Sequence, residues 1–144
     1  QEVEALGQRI NRQWGTNDWQ PVELLVEEID LLDLIALQRL GAFCVVSSLH
    51  DGMNLVAKEF VAARCDGDGV LILSRFAGSA LELADALQVH PYSVEELGDA
   101  MAQALAMPEP ERRRRMASLR QQVEEHNVYR WGGHIFTDIL QLKP

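Results

Sequence analysis

At 144 residues the chain is long enough for one domain with a real core, and an apolar fraction of 47% marks a folded globule rather than a disordered tail. A formal net charge of −9 and a pI near 4.8 argue against nucleic-acid and anionic-membrane surfaces, both of which attract basic faces. No apolar run approaches the roughly 20 residues of a membrane span, and Cys44 and Cys65 share no metal or redox spacing, so a soluble protein of the reducing cytoplasm is expected.

Residues 2–13 read as a short helix with Val3, Leu6 and Ile10 on one face, broken by the turn-forming stretch from Trp14 to Pro21. Val22 to Val26 is a candidate strand. Periodicity through Leu31, Leu34, Ile35 and Leu37 predicts a helix opened by Asp30 and closed by Gly41. Phe43 to Ser48 is a strand whose unbroken Phe43-Cys44-Val45-Val46 implies burial on both faces, as in a parallel sheet. A helix over 55–64, the Asp66-Gly67-Asp68-Gly69 turn and a strand over 70–73 follow. Ser74 to Ser79 is a loop leading to a short helix through Leu83, and Leu87 to Val89 is a weaker strand.

Ser93-Val94-Glu95-Glu96 is a capping box that starts a helix reaching Met107. Helices over 111–125 and 129–140 complete the chain, the last loaded with Trp131, Ile135, Phe136, Ile139 and Leu140. Strands alternating with helices imply a parallel, Rossmann-like α/β sheet flanked by helices, with ligands beyond the carboxyl ends of its strands.

At one such end lies Leu49-His50-Asp51-Gly52-Met53-Asn54-Leu55-Val56-Ala57-Lys58-Glu59, where a strand gives way to a loop and a helix N-terminus. The first N–H groups of a helix lack partners and sit at its positive end, which suits a phosphate. Asp51 would repel a phosphate beside it but accepts hydrogen bonds from sugar hydroxyls. Gly52 lets the backbone turn near a ligand. Asn54 is the expected N-cap, leaving the amides of Leu55 and Val56 facing the mouth. Glu59, one turn in, leans back over the face of Leu55. Together these groups match a glycosyl group, a diphosphate and a ribose, in that order. The alternative is an N-capped core helix with two solvated carboxylates.

Other chemical-looking signals carry less. Arg112 to Arg115 points around the whole circumference of a helix and reads as solvated surface. His50, His90, His126 and His134 share no ligand spacing, so no metal is expected. No phosphate-binding glycine motif and no readable catalytic triad occur.

The nine residues Asp51 to Glu59 resemble the signature of the trehalose-6-phosphate synthase family, retaining glycosyltransferases with two Rossmann-like domains in a GT-B fold. The likeness extends to Arg9-Ile10-Asn11 with Gly15, Trp19-Gln20-Pro21, Leu73-Ser74-Arg75-Phe76-Ala77-Gly78, Pro91-Tyr92 and Tyr129-Arg130-Trp131. The resemblance implies that Asp51 holds hydroxyls of a donor glucose and is the catalytic candidate, and that Gly52, Met53 and Asn54 contact the same sugar. It places Leu55, Val56, Ala57 and Lys58 at the diphosphate and Glu59 at the ribose, with Ile29 contacting the nucleobase side through its main chain. No cofactor and no metal are implied.

The departures are His50 where the family has Arg, Arg12 where it has Gly, and His90 and Ser93 flanking Pro91-Tyr92 in place of Asn and Asp. The resemblance covers a C-terminal, donor-binding domain spanning 1–144; the family's N-terminal, acceptor-binding domain has no counterpart here. The expected partners are UDP-glucose, with ADP- or GDP-glucose as alternatives, and a phosphorylated acceptor, glucose 6-phosphate or, in a near relative, glycerol 3-phosphate. A nucleotide-sugar-binding module without catalysis is the remaining reading. An uncovered last helix around Trp131, Ile135 and Phe136 would favour self-association or its own displacement.

Overall fold

The computed structural model describes residues 2–142, which divide into two compact units, one up to Asp30 and one from Leu31 onward. In the first unit, α1 (Glu2–Trp14) is followed by an extended segment. Asn11 holds that segment to the helix: its Nδ2 donates to the Val22 carbonyl at 2.8 Å, and its Oδ1 accepts from the Val22 N–H at 2.9 Å. With both main-chain groups of Val22 taken by a side chain, residues 22–26 run as coil instead of the expected strand. On α1 the buried residue is Gly7, against Val22, whereas Val3 and Leu6 stay exposed.

The second unit contains α2 (Leu31–Leu40), β1 (Phe43–Val46), α3 (Leu55–Ala63), β2 (Val70–Ser74), a 3-10 helix (Gly78–Leu81), β3 (Leu87–Val89), α4 (Val94–Ala106), α5 (Glu109–Glu125) and α6 (Val128–Gln141). The three strands pair in parallel in the order β1-β2-β3, with Val46 beside Leu73 and Ser74 beside Val89. The two-residue period divides the sheet's faces. Cys44, Val46, Leu71 and Leu73 join Phe60, Val61, Met116 and Leu119 from α3 and α5. Phe43, Val45, Val70 and Ile72 join Ala100 and Ala104 of α4 and Met107 at its C-cap. β2 is therefore buried along its whole length, while β1, an edge among the described residues, is mostly half-buried rather than covered on both faces. Burial raises the pKa of the Cys44 thiol; Cys65 is exposed, and the two remain unpaired.

A buried arginine closes the lower end of this unit. Arg64 caps α3, donates through Nη1 to the carbonyls of Gln38 and Gly41 at the end of α2, and grips Asp66 with Nε and Nη2 at 3.1 Å each. Gly69, at φ +109°, leaves room for the guanidinium, since a Cβ there would lie 2.9 Å from Arg64 Cζ.

The Arg112–Arg115 run does more than meet solvent. Arg112 forks onto Asp68 at 2.7 and 3.0 Å and reaches the Met107 carbonyl, while Arg115 donates to the Asp85 carbonyl. Arg113 and Arg114 are the exposed members, paired with Glu109 and Glu111. The capping box at Ser93 is only half formed. Ser93 Oγ accepts from Glu96 N–H, but the Glu96 carboxylate turns to the His90 N–H and to Arg75. Helix α6 buries none of its residues and leaves Trp131 58% and Phe136 71% exposed, the uncovered apolar surface the sequence leads one to expect.

Asp68 titrates far below its ordinary range, at about 2, because Arg112 donates to the charged form, with help from the Gly69 N–H. A folded-state pKa held below the unfolded value contributes stability that is complete above pH 3.8 and lost as pH falls toward about 2. Asp68→Asn should lower the melting temperature by about 2–5 °C at neutral pH, and the gap to wild type should close below pH 3.8. Thermal scans of both proteins across that range test this; a gap that stays constant into acid contradicts it.

Candidate functional site

The loop after β1 and the loop after β2 meet beyond the carboxyl edge of the sheet. Asp51 and Ala77 form an isolated parallel bridge, in which Asp51 N–H donates to Phe76 O at 3.3 Å and Gly78 N–H to Asp51 O at 3.0 Å. Ser79 N–H adds a bond to Met53 O at 2.9 Å. The β1–α3 loop is thus stitched to the 3-10 helix after β2.

Within the loop, Asp51 binds its own turn. Oδ1 accepts from the Met53 and Asn54 N–H groups at 3.2 and 2.8 Å, and Oδ2 accepts from Asn54 Nδ2 at 2.9 Å. The Asn54 bond leads in holding the carboxyl below its usual range. A carboxylate offers about four lone-pair sites. Three protein donors leave Oδ2 with capacity for a further, external donor, and the residue is half-exposed.

Asn54 is 6% exposed and is, among the described residues, the one non-glycine at positive φ, +63°. Its side chain uses both donors and one acceptor site. Oδ1 accepts from Ala57 N–H at 2.9 Å, as the expected N-cap, and Nδ2 donates to Asp51 and to Ser48 Oγ at 3.2 Å. The left-handed turn therefore falls on Asn54 and not on Gly52. Gly52 is exposed, and a Cβ on it would meet open space, so the backbone there is accessible to a guest.

The cap also sorts the first amides of α3. Ala57 is fully buried and its N–H is committed to Asn54, which removes it from the residues able to meet a diphosphate. Among the described residues the Leu55 and Val56 N–H groups have no protein partner, and both side chains are exposed. Glu59 lies on the same outward face of α3, exposed. Lys58 turns aside to Glu82, Nζ to Oε2 2.6 Å, and with it lines a cavity of about 610 Å³ shared with Met53, Leu55, Arg130 and Trp131. Ile29 belongs to the first unit, half-buried in the extended segment before α2.

Sequence reasoning missed Ser48, Ala77 and Ser79, which secure the loop. Ser48 carries no local signal, being one more polar residue at a strand end. The stretch from Leu73 to Gly78 is visible as a motif, but its pairing with Asp51 requires the sheet order.

The chain matches the family model "Glycosyltransferase family 20" over residues 1–141. It is 40% identical over 137 residues to a glucosylglycerol-phosphate synthase of Picosynechococcus sp., covering 95% of this chain and 27% of that protein. It is 45% identical over 132 residues to a trehalose-6-phosphate synthase of Sinorhizobium fredii, covering 91% and 28%. Among solved structures, an E. coli one described as trehalose-6-phosphate bound with UDP-2-fluoro glucose superposes with a TM-score of 0.94 at 38% identity, over 99% of this chain and 32% of that one. The chain thus spans under a third of the length of these relatives, and its α/β arrangement corresponds to part of the GT-B fold.

Asn54→Ala should cost about 2–3 kcal/mol, because it removes the cap and the other side-chain hydrogen bonds that offset the strain of a left-handed L-residue. Asn54→Gly, which tolerates that φ, should cost about 1 kcal/mol less. Urea midpoints measure both; an alanine variant at least as stable as the glycine variant contradicts this reading.

Proposed function

The chain belongs to glycosyltransferase family 20, and from that premise we propose that its second unit binds a nucleotide-glucose, UDP-glucose first, whose glucose passes to glucose 6-phosphate with retention at the anomeric carbon, giving trehalose 6-phosphate. The observation that supports this is the pair of amides at Leu55 and Val56, without a protein partner among the described residues, at the positive end of α3, flanked by a carboxylate on the loop and another one turn into the helix. In this reading the amides take the diphosphate, whose charge grows as the bond to glucose breaks, so their effect is larger in the transition state than in the ground state. Asp51 accepts a glucose hydroxyl at Oδ2, Gly52 offers exposed backbone to the same sugar, and Glu59 accepts ribose hydroxyls. The E. coli structure described with UDP-2-fluoro glucose supports the donor class.

A second acceptor, glycerol 3-phosphate, is favoured by the identity to the Picosynechococcus protein. A full-length chain carrying this segment, supplied with UDP-glucose and each acceptor in turn, distinguishes the two by its product.

Calorimetric titration of the 144-residue chain with UDP-glucose should show binding. Asp51→Ala should weaken it by about tenfold or more, and Glu59→Ala by less, as expected for hydrogen bonds to charged groups at sites of different exposure. Absence of binding by the unaltered chain, or an Asp51→Ala variant with unchanged affinity, defeats the donor reading.

A further inference from the structure

Among the described residues, the main chain of residues 51–53 is hydrogen-bonded outside its own turn only to Phe76, Gly78 and Ser79. The other side of the loop is open, since Gly52 and Met53 are exposed and nothing stands within 4 Å of a Cβ built on Gly52. The height and tilt of the loop are therefore set from below, by the start of the 3-10 helix.

At that point the two backbones touch. A Cβ on Gly78 would overlap the Gly52 carbonyl oxygen and come within 2.9 Å of the Gly52 carbonyl carbon and 3.5 Å of Met53 Cα. These are main-chain atoms that cannot swing aside as a side-chain end can. Gly78 is not at positive φ, so its conformation does not require glycine. The missing side chain serves the contact.

We propose that Gly78 is a positioning residue for the donor site: by seating the Gly52 carbonyl it fixes where Asn54 enters α3, and so where the Leu55 and Val56 N–H groups point. The functional part of this inference rests on the reading of those amides as the diphosphate contact. A methyl at 78 lifts the loop and turns the amides, while the sheet and the two apolar clusters around it stay as they are.

The test compares Gly78→Ala with Gly98→Ala in the 144-residue chain. Gly98 is exposed on α4, where a Cβ meets nothing within 4 Å. Gly78→Ala is expected to unfold cooperatively, to shift the amide resonances of residues 52–56, and to bind UDP-glucose at least about tenfold more weakly. Gly98→Ala is expected to change none of these. Wild-type resonances for residues 52–56, or wild-type affinity, in Gly78→Ala overturn the proposal. So does loss of cooperative unfolding, which would make Gly78 a requirement of the fold rather than of the site. If the unaltered chain binds no UDP-glucose, the donor reading fails by itself, and the resonances alone decide whether Gly78 sets the loop.

Discussion

The bond between Asp51 and Asn54 governs the rest of the site. Asn54 adopts a left-handed conformation that costs an L-residue roughly 1–2 kcal/mol, and it does so inside the protein. Hydrogen bonds that its side chain donates to Ser48 and Asp51 and accepts from the Ala57 N–H offset that cost, at roughly 0.5–1.5 kcal/mol each and more where the partner is charged. The result is a loop whose shape is fixed before any guest arrives. Such preorganisation matters where amides must face a charge that develops during a reaction, because no reorientation is then needed.

The sheet determines why this loop sits where it does. In a parallel sheet every strand enters from the same side, so the loops following β1 and β2 emerge at one edge. β1 and β2 are neighbours, with Val46 level with Leu73, so their continuing chains reach Asp51 and Ala77 side by side and bond as a last fragment of sheet. β2 is buried throughout and flanked by an apolar cluster on each face, which makes it the stiffest part of the unit to build upon. At the opposite end, Arg64 ties α2, α3 and the turn before β2 together, so α3 is held at both ends.

The sequence exposes the elements with strong local causes. Ser93 and Asn54 declare their helices through capping, and the apolar run from Phe43 and the alternation of strands and helices declare a parallel sheet. Where a distant side chain takes over backbone bonding, the local signal misleads. Residues 22–26 have strand composition, yet Asn11 occupies both main-chain groups of Val22. The arginine run lacks periodicity and looks solvated, yet Arg112 and Arg115 find the Asp68 carboxylate and the Asp85 carbonyl on loops distant in sequence. In the site, the cap and the open amides follow from Asn54 alone. That Asp51 spends three of its acceptor sites on its own loop, and that Gly78 and not Gly52 is the glycine in close contact, depends on chain crossings that no residue pattern encodes.

Charge adds a constraint on how a nucleotide-sugar could be captured. The chain carries −9, so at distances beyond the Debye length of about 8 Å its field gives a diphosphate no attraction, and physiological salt screens most of the repulsion. Attraction must come from groups in contact, and Lys58, the cation nearest in sequence to the helix start, is engaged by Glu82. Besides Arg130, which lines the same cavity as Met53 and Leu55, this unit offers the short-range field of two amides at a helix end, worth roughly 0.3–1 kcal/mol per anionic interaction when exposed and more once water is excluded. A sugar covering Gly52 and Met53 would exclude that water from one side. On the proposed reading, the neutral portion of such a ligand would then strengthen the hold on its charged portion.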